Sequence, residues 1–164
     1  MNALANDEVG AYLNDHFVSS FQKVATFRIA GGQKQGGNVA SYFCTPDQRV
    51  LHIIAGPVDA ARMLREACWV VEAQKLALLE SAGDAARFNE SMRQAHADRL
   101  RREHRFDVSS PDNGRGRRAL NNQGRVHLLL AAAPLVKVEQ VYRLVFENIL
   151  GEQVSTSPVV EAGQ

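Results

Sequence analysis

Residues 39–55, VASYFCTPDQRVLHIIA, decide the reading of this chain. The first six are apolar, aromatic or small, in the manner of a buried strand, and residues 50–55 repeat that character. Between them Thr45-Pro46-Asp47-Gln48 is turn chemistry, with a proline that presets φ and an aspartate that bonds its own backbone. The spacing predicts an antiparallel hairpin, 39–44 against 50–55.

Downstream, Gly56-Pro57 ends the hairpin and Asp59 is placed to cap a helix. Its apolar residues Leu64, Ala67, Cys68, Val71, Leu78 and Leu79, with the aliphatic stem of Lys75, recur at helical spacing, so this helix should cover the hairpin. Gly83 stops it, and Asp84 caps a second helix to about His104, with Phe88, Met92 and Ala95 on its apolar face. Ser109-Ser110-Pro111-Asp112-Asn113-Gly114 marks a loop within 106–116. A helix over 118–133, weakened by Gly124 and ended by Pro134, precedes a last helix over 138–150 with the stripe Val138, Val141, Val145 and Ile149 and a stop at Gly151. Residues 152–164 read as an extended tail.

Upstream, Asn6 or Asp7 caps a short helix through Leu13, with Asp7 and Glu8 favourably placed in its first turn. Residues 17–29, carrying Phe17, Phe21, Val24, Phe27 and Ile29, read as one strand, broken near Ala25. The glycine-dense run Gly31-Gly32-Gln33-Lys34-Gln35-Gly36-Gly37 reads as a loop. Each of these features occurs once, which excludes a repeat architecture.

The chain has 164 residues, 45% of them hydrophobic and 23% charged, enough for one ordinary domain with a real core. Nineteen Lys and Arg against eighteen Asp and Glu give a formal charge of +1, which removes a global electrostatic case for nucleic acid or an anionic membrane. The charge is uneven. Between Arg93 and Arg125, nine arginines (Arg93, Arg99, Arg101, Arg102, Arg105, Arg115, Arg117, Arg118 and Arg125) face four acids. Guanidinium groups suit bidentate phosphate or carboxylate contacts, so Arg115, Arg117 and Arg118 are candidate contacts for an anion or acidic partner. Phe106 is the sole aromatic among them, which is poor support for single-strand stacking. Acids at positions 7 and 8 do not fit a secretory signal, and the most apolar run, 126–138, is interrupted by His127, Pro134 and Lys137; a cytoplasmic protein without a membrane partner is expected.

Two cysteines cannot make a disulfide framework or a four-thiolate zinc site. Cys44 falls in a hairpin strand and Cys68 on a helix face turned to it, where free thiols behave as small hydrophobes; they are the candidate thiols should the chain have redox chemistry. Trp69 reads as a packing anchor. Among His16, His52, His96, His104 and His127 no pair has the i, i+4 spacing of a helical zinc site. His96 and His104 lie two helical turns apart, too far to share an ion, so solvated or interface roles are expected and no metal is assigned. Lys34 lies within its glycines rather than after them, which fails P-loop spacing and leaves it as a candidate anion or partner contact.

Three stretches, NDEVGAYLNDHFV, ASYFCTPDQRVLHIIAG and PVDAARMLREA, resemble the thioredoxin-like superfamily over residues 6–80. In that family they correspond to the end of the active-site helix with the second central strand, the hairpin of the last two strands, and the closing helix. The match lacks two family signatures. There is no C-x-x-C pair, and the position of the family's cis-proline falls at about Val39, where a cis bond would cost roughly 2.5–4 kcal/mol.

The resemblance implies an α/β (α+β) protein: an incomplete thioredoxin-like sheet truncated at its N-terminus (1–82), a helical extension packed on it (83–151) and the tail 152–164. An uncovered sheet edge recruits another chain, so the expected function is a non-catalytic interaction or assembly module acting through self-association, a homodimer or a protein-partner complex, without cofactor or catalytic residues. Two other readings are a fragment or late-start form of a thiol–disulfide oxidoreductase whose C-x-x-C lies upstream, and a nucleic-acid-binding module using the arginines of 93–125.

Overall fold

The computed structural model describes residues 3–22, 28–30, 33–35, 38–109 and 120–154, with side chains described outside 28–30 and 33–35. After a 3-10 turn, Ala3–Ala5, come helix α1 (Asp7–His16), strands β1 (Arg28–Ala30), β2 (Gln33–Gln35), β3 (Ala40–Cys44) and β4 (Val50–Ala55), then helices α2 (Ala60–Ser81), α3 (Ala85–His104), α4 (Asn122–Ala132) and α5 (Val138–Leu144), which runs into a π-helical turn, Val145–Ile149. The fold is thus mixed helix and strand, with two separate two-stranded antiparallel sheets among the described residues.

The helix starts follow from local chemistry. Asn6, Asp59, Asp84 and Asn121 each accept a hydrogen bond from the backbone N–H three residues on, at 3.1, 2.7, 2.9 and 2.8 Å. Each satisfies a donor that the first helical turn leaves free. At the other end, α2 stops where Ala82 and Gly83 turn to positive φ, 48° and 88°. The second helix arises where Asp84 is expected to cap it, and α1 runs three residues past Leu13 to His16.

The hairpin pairs as expected, with Ala40 opposite Ala55, Tyr42 opposite Ile53 and Phe43 opposite His52, and a register shift between Phe43 and Cys44, but its first strand starts at Ala40 and only Phe43 in it is buried, Val39 standing 54% exposed. Thr45 and Asp47 close the turn: Thr45 Oγ1 bonds Asp47 Oδ1 at 2.6 Å and accepts from Arg49 N at 3.1 Å. Every residue of β4 is buried. Leu51 and Ile54 enter one apolar cluster with Met63, Ala67 and Val70 of α2 and Met92 of α3. Val50, Ile53 and Ala55 enter another with Val126 and Leu130 of α4 and Val141, Val145 and Ile149 further on. The later helices are tied in by backbone as well: Val50 N donates to Val136 O at 2.8 Å and Val138 N to Gln48 O at 3.1 Å. Of the stripe expected for the last helix, Val141, Val145 and Ile149 are buried here and Val138 is half-buried.

Five expectations need correction. On α2 the buried residues are Met63, Glu66, Ala67, Val70, Val71, Ala77 and Ser81, while Leu78 and Leu79 of the expected apolar face stand 55 and 80% exposed. Residues 17–22 are not strand; Phe17 packs edge-on against Phe43 at 5.2 Å while Val18 is fully exposed and Phe21 90% exposed. β-rich composition makes a strand only where a partner and a buried face exist, and of 17–29 only Arg28–Ala30 is strand; 23–27 lie outside the described residues. The glycine-dense run is not wholly loop, because Gln33–Gln35 pairs with Arg28–Ala30 and sets Lys34 opposite Ile29. Backbone ladder bonds hold such a short polar strand, and glycine density does not register them. On α3 the fully buried stripe runs through Met92, His96 and Leu100 rather than through Ala95. Finally, α4 begins at Asn122 under its Asn121 cap. Gly124 is less a weak point than a close approach: a Cβ there would stand 3.1 Å from His104 Nδ1 and 3.0 Å from Leu120 Cδ2.

Candidate metal centre

Each element around β4 brings one imidazole to the same place: His52 from the buried strand, His96 from the core face of α3 and His127 from the core face of α4. Their exposures are 0, 1 and 0%. Ring centroids are 5.7 Å apart for His52 and His96, and 5.2 Å for both His52–His127 and His96–His127. One ring nitrogen from each lies within 4.8 Å of the other two. Trp69 of α2 presents its edge to all three rings at 4.9, 5.1 and 5.7 Å, and the Arg99 guanidinium lies 4.5 Å from the Trp69 ring centre.

The hydrogen bonds fix the tautomers. His96 Nε2 is 2.9 Å from the Leu51 carbonyl oxygen, which only accepts, so Nε2 carries the proton. Burial pushes His96 down to about 4, against the opposing pull of that carbonyl bond, so the ring is neutral near pH 7 and its Nδ1 is a bare lone pair. His127 Nδ1, 2.9 Å from His96 Nδ1, must then be the donor of that bond. This leaves His127 Nε2 bare, and it has no hydrogen-bond partner. His52 Nε2 donates to Glu66 Oε2 at 2.9 Å, which leaves His52 Nδ1 bare and likewise without a partner. Burial, then the neighbouring His96 and Arg99, holds His52 well below its ordinary value, and burial with the other histidines does the same to His127.

Glu66, itself buried, is paired with Arg99, whose guanidinium meets both its oxygens at 2.7 and 3.0 Å. Arg99 in turn bonds Glu103 at 2.6 Å. On the far side Gln123 of α4 donates to the Ile53 carbonyl at 2.9 Å and accepts from Arg62 at 3.3 Å, pinning α4 to β4 beside the cluster.

This arrangement suits a metal ion. With Zn–N of about 2.0–2.1 Å and ring centres a further ~1.2 Å out, imidazoles around one tetrahedral ion stand about 5 Å apart, close to the spacings found. His96 Nδ1 and His127 Nδ1 would part by roughly half an ångström to reach the ~3.4 Å between two ligand atoms of such an ion. The outer partners match those that metal-binding histidines use, a carboxylate on one ring and a backbone carbonyl on another. At 0–1% exposure the three rings line no open cleft for an organic substrate.

Solvated or interface roles therefore do not hold for His52, His96 and His127; the reason is tertiary, since the three come from three elements. His104, half-buried at the end of α3, lies outside the triad with its ring 6.3 Å from that of His127. Trp69 packs as expected. Cys44 and Cys68 are free and partly buried, and burial pushes the Cys44 thiol up to about 11, which suppresses its thiolate. Arg93, Arg99 and Arg101 make ion pairs with Glu90, with Glu66 and Glu103, and with Asp98 and Asp107. Arg115, Arg117 and Arg118 lie outside the described residues, as does the Lys34 side chain. No described helix is long and apolar enough to cross a membrane. The chain matches no protein-family model, no curated protein and no solved structure.

Proposed function

We propose that this protein binds one divalent transition-metal ion between His52, His96 and His127, and that the ion ties β4 to α3 and α4. The observation that carries the reading is a set of three buried ring nitrogens within 4.8 Å of one another, on rings of which two are already oriented from behind by Glu66 and the Leu51 carbonyl. Imidazole donors select zinc, copper, nickel or cobalt over magnesium and calcium, which need oxygen, and the nearby Glu66 carboxylate is committed to His52 and Arg99. Three protein ligands leave a fourth position for water or a small anion.

The test is a titration of EDTA-treated protein with zinc, followed by calorimetry and elemental analysis after dialysis. One equivalent is expected to be retained, magnesium to have no effect, and His96→Ala to abolish retention. At a free ion concentration of 100 Kd the gain of about 2.7 kcal/mol corresponds to a rise in Tm of about 5–10 °C for a chain of this size. Failure of zinc, cobalt, nickel and copper alike to bind stoichiometrically overturns the reading.

A second reading, self-association as an interaction module, draws on Val18 and Phe21, which stand 100 and 90% exposed beside the hairpin's Phe43 neighbour, Phe17. The order helix, hairpin, helix over α1, β3–β4 and α2 supports a thioredoxin-like ancestry for that half. Sedimentation at micromolar concentration separates dimer from monomer, and a monomer rejects self-association.

A further inference from the structure

One ring of the triad lacks what the other two have. His52 and His96 each give their outward N–H to a fixed acceptor, whereas the His127 proton is spent inward, on His96 Nδ1. Its other nitrogen, Nε2, is buried and unpartnered, and so is Nε2 of His104, on the neighbouring ring 6.3 Å away. Two buried ring nitrogens on neighbouring rings, each without a hydrogen-bond partner, are an unfavourable arrangement. The placement is nonetheless built. Gly124, in the first turn of α4 and three residues before His127, is the position where any side chain would meet the His104 ring at 3.1–3.2 Å, so its lack of one lets His104 lie against α4.

Resting on the metal reading above, we infer that His104 is the outer positioning residue of His127 in the metal-bound protein. An ion on Nδ1 of His127 requires that nitrogen's lone pair, so its proton leaves the bond to His96 and is replaced on Nε2. His127 then donates from Nε2 to the lone pair of His104 Nε2. The ring stays neutral, no net proton is lost by it, and two unpartnered buried nitrogens become a hydrogen-bonded pair. All three ligands then have an acceptor behind them: Glu66, the Leu51 carbonyl and His104. Such outer partners orient the ring and raise its basicity, and their loss typically lowers metal affinity 10–100-fold.

The test uses the full chain with zinc alone as the probe. Long-range ¹H–¹⁵N spectra of the histidine rings are recorded on EDTA-treated and zinc-loaded protein, and zinc affinity is measured for wild type, His104→Ala, His104→Gln and Gly124→Ala. Expected are a change of His127 from Nδ1–H to Nε2–H on loading, a 10–100-fold weaker affinity in His104→Ala and Gly124→Ala, and recovery in His104→Gln, whose amide oxygen can accept. The spectra read the tautomer in wild type, so a variant that fails to fold does not rescue the inference. Zinc bound with His127 still protonated at Nδ1, or an affinity within twofold of wild type in His104→Ala, overturns the role of His104 and leaves the metal site standing. No zinc uptake by wild type removes both.

Discussion

Lowering the pH of the metal-free protein should destabilise it from about pH 6.5 downward, before ordinary carboxylates protonate. In the fold His52, His96 and His127 are neutral and buried; in the unfolded chain each titrates near 6.5. Below that value the unfolded state takes up protons that the folded state refuses, so stability falls with falling pH, and continues to fall until the folded-state value is reached. For His96 that value is about 4. A difference of about 2.5 units at 1.36 kcal/mol each is a loss of about 3 kcal/mol from this one ring. His52 and His127, displaced in the same direction, steepen the dependence toward three protons, or about 4 kcal/mol per pH unit between pH 6 and 4. Over those two units that is about 8 kcal/mol, a large share of a total stability of about 5–15 kcal/mol.

The assay is urea denaturation at pH 8, 7, 6, 5 and 4 in EDTA, with the single Trp69 as the fluorescent probe. Stability should be flat above pH 7 and drop steeply below 6, and His127→Phe should remove about one third of the slope. Asp47, Glu90 and Asp107, all exposed, are held below the usual carboxylate range by Thr45 and Arg49, by Arg93 and by Ser109 respectively. Their contribution is present above about pH 4 and is lost only below it, so it falls outside the window. A slope of less than one proton between pH 6 and 5 would refute the reasoning, because it would mean that the rings are protonated in the fold or reach water.

Glu66→Ala leaves Arg99 buried opposite no carboxylate and His52 without its acceptor, so a loss of about 3–5 kcal/mol is expected from thermal and urea melts; a loss under 1 kcal/mol would show that the pair is solvated. Asp59→Ala and Asp84→Ala each remove a cap bond and should cost about 1 kcal/mol, additively, since they start different helices. Replacing both Val18 and Phe21 with serine should leave the melting temperature within about 2 °C of wild type, because neither side chain is buried, while shifting any dimer to monomer by sedimentation. A dimer that persists in that variant would place the interface elsewhere.

Local chemistry was readable wherever it was enough to determine structure. The hairpin 39–55 announces itself by its turn residues, and Asp59 and Asp84 announce the two long helices by position. The stripe from Val138 to Ile149 is periodic whatever it packs against. The strand expected over 17–29 failed because composition carries no information on whether a partner exists. The histidine cluster was hidden for a related reason: His52, His96 and His127 share no spacing motif, and only the packing of β4 between α3 and α4 brings them together. A signal was nevertheless present in each segment. His52 interrupts the otherwise apolar Val50–Ala55; His96 sits four residues from both Met92 and Leu100; His127 follows Val126 and precedes Leu128. A polar ring at a core position in three separate elements needs a partner, and the economical partners are one another.

What such a cluster costs bears on why it is there. Phe or Leu at the same three positions would bury apolar surface, and isosteric replacement of buried polar groups is often neutral or stabilising. Instead the core holds three rings with two nitrogens of the triad unpartnered, each an expense of about 1–3 kcal/mol. Around them the chain maintains a buried carboxylate, a guanidinium to neutralise it, a tryptophan edge and a glycine that admits a fourth imidazole. None of these is needed to hold β4 in place, which the two flanking apolar clusters already do. An ion held by Nδ1 of all three rings would take up the bare His52 Nδ1 directly and, by moving the His127 proton to Nε2, give that nitrogen a hydrogen to donate, so both unpartnered nitrogens would gain a partner; a metal ion is the species that imidazole nitrogens prefer. On that argument the free-energy deficit of the metal-free core is the reserve from which ion binding draws its strength, and the hairpin and helices that sequence chemistry specifies so plainly are the frame that keeps the deficit in place.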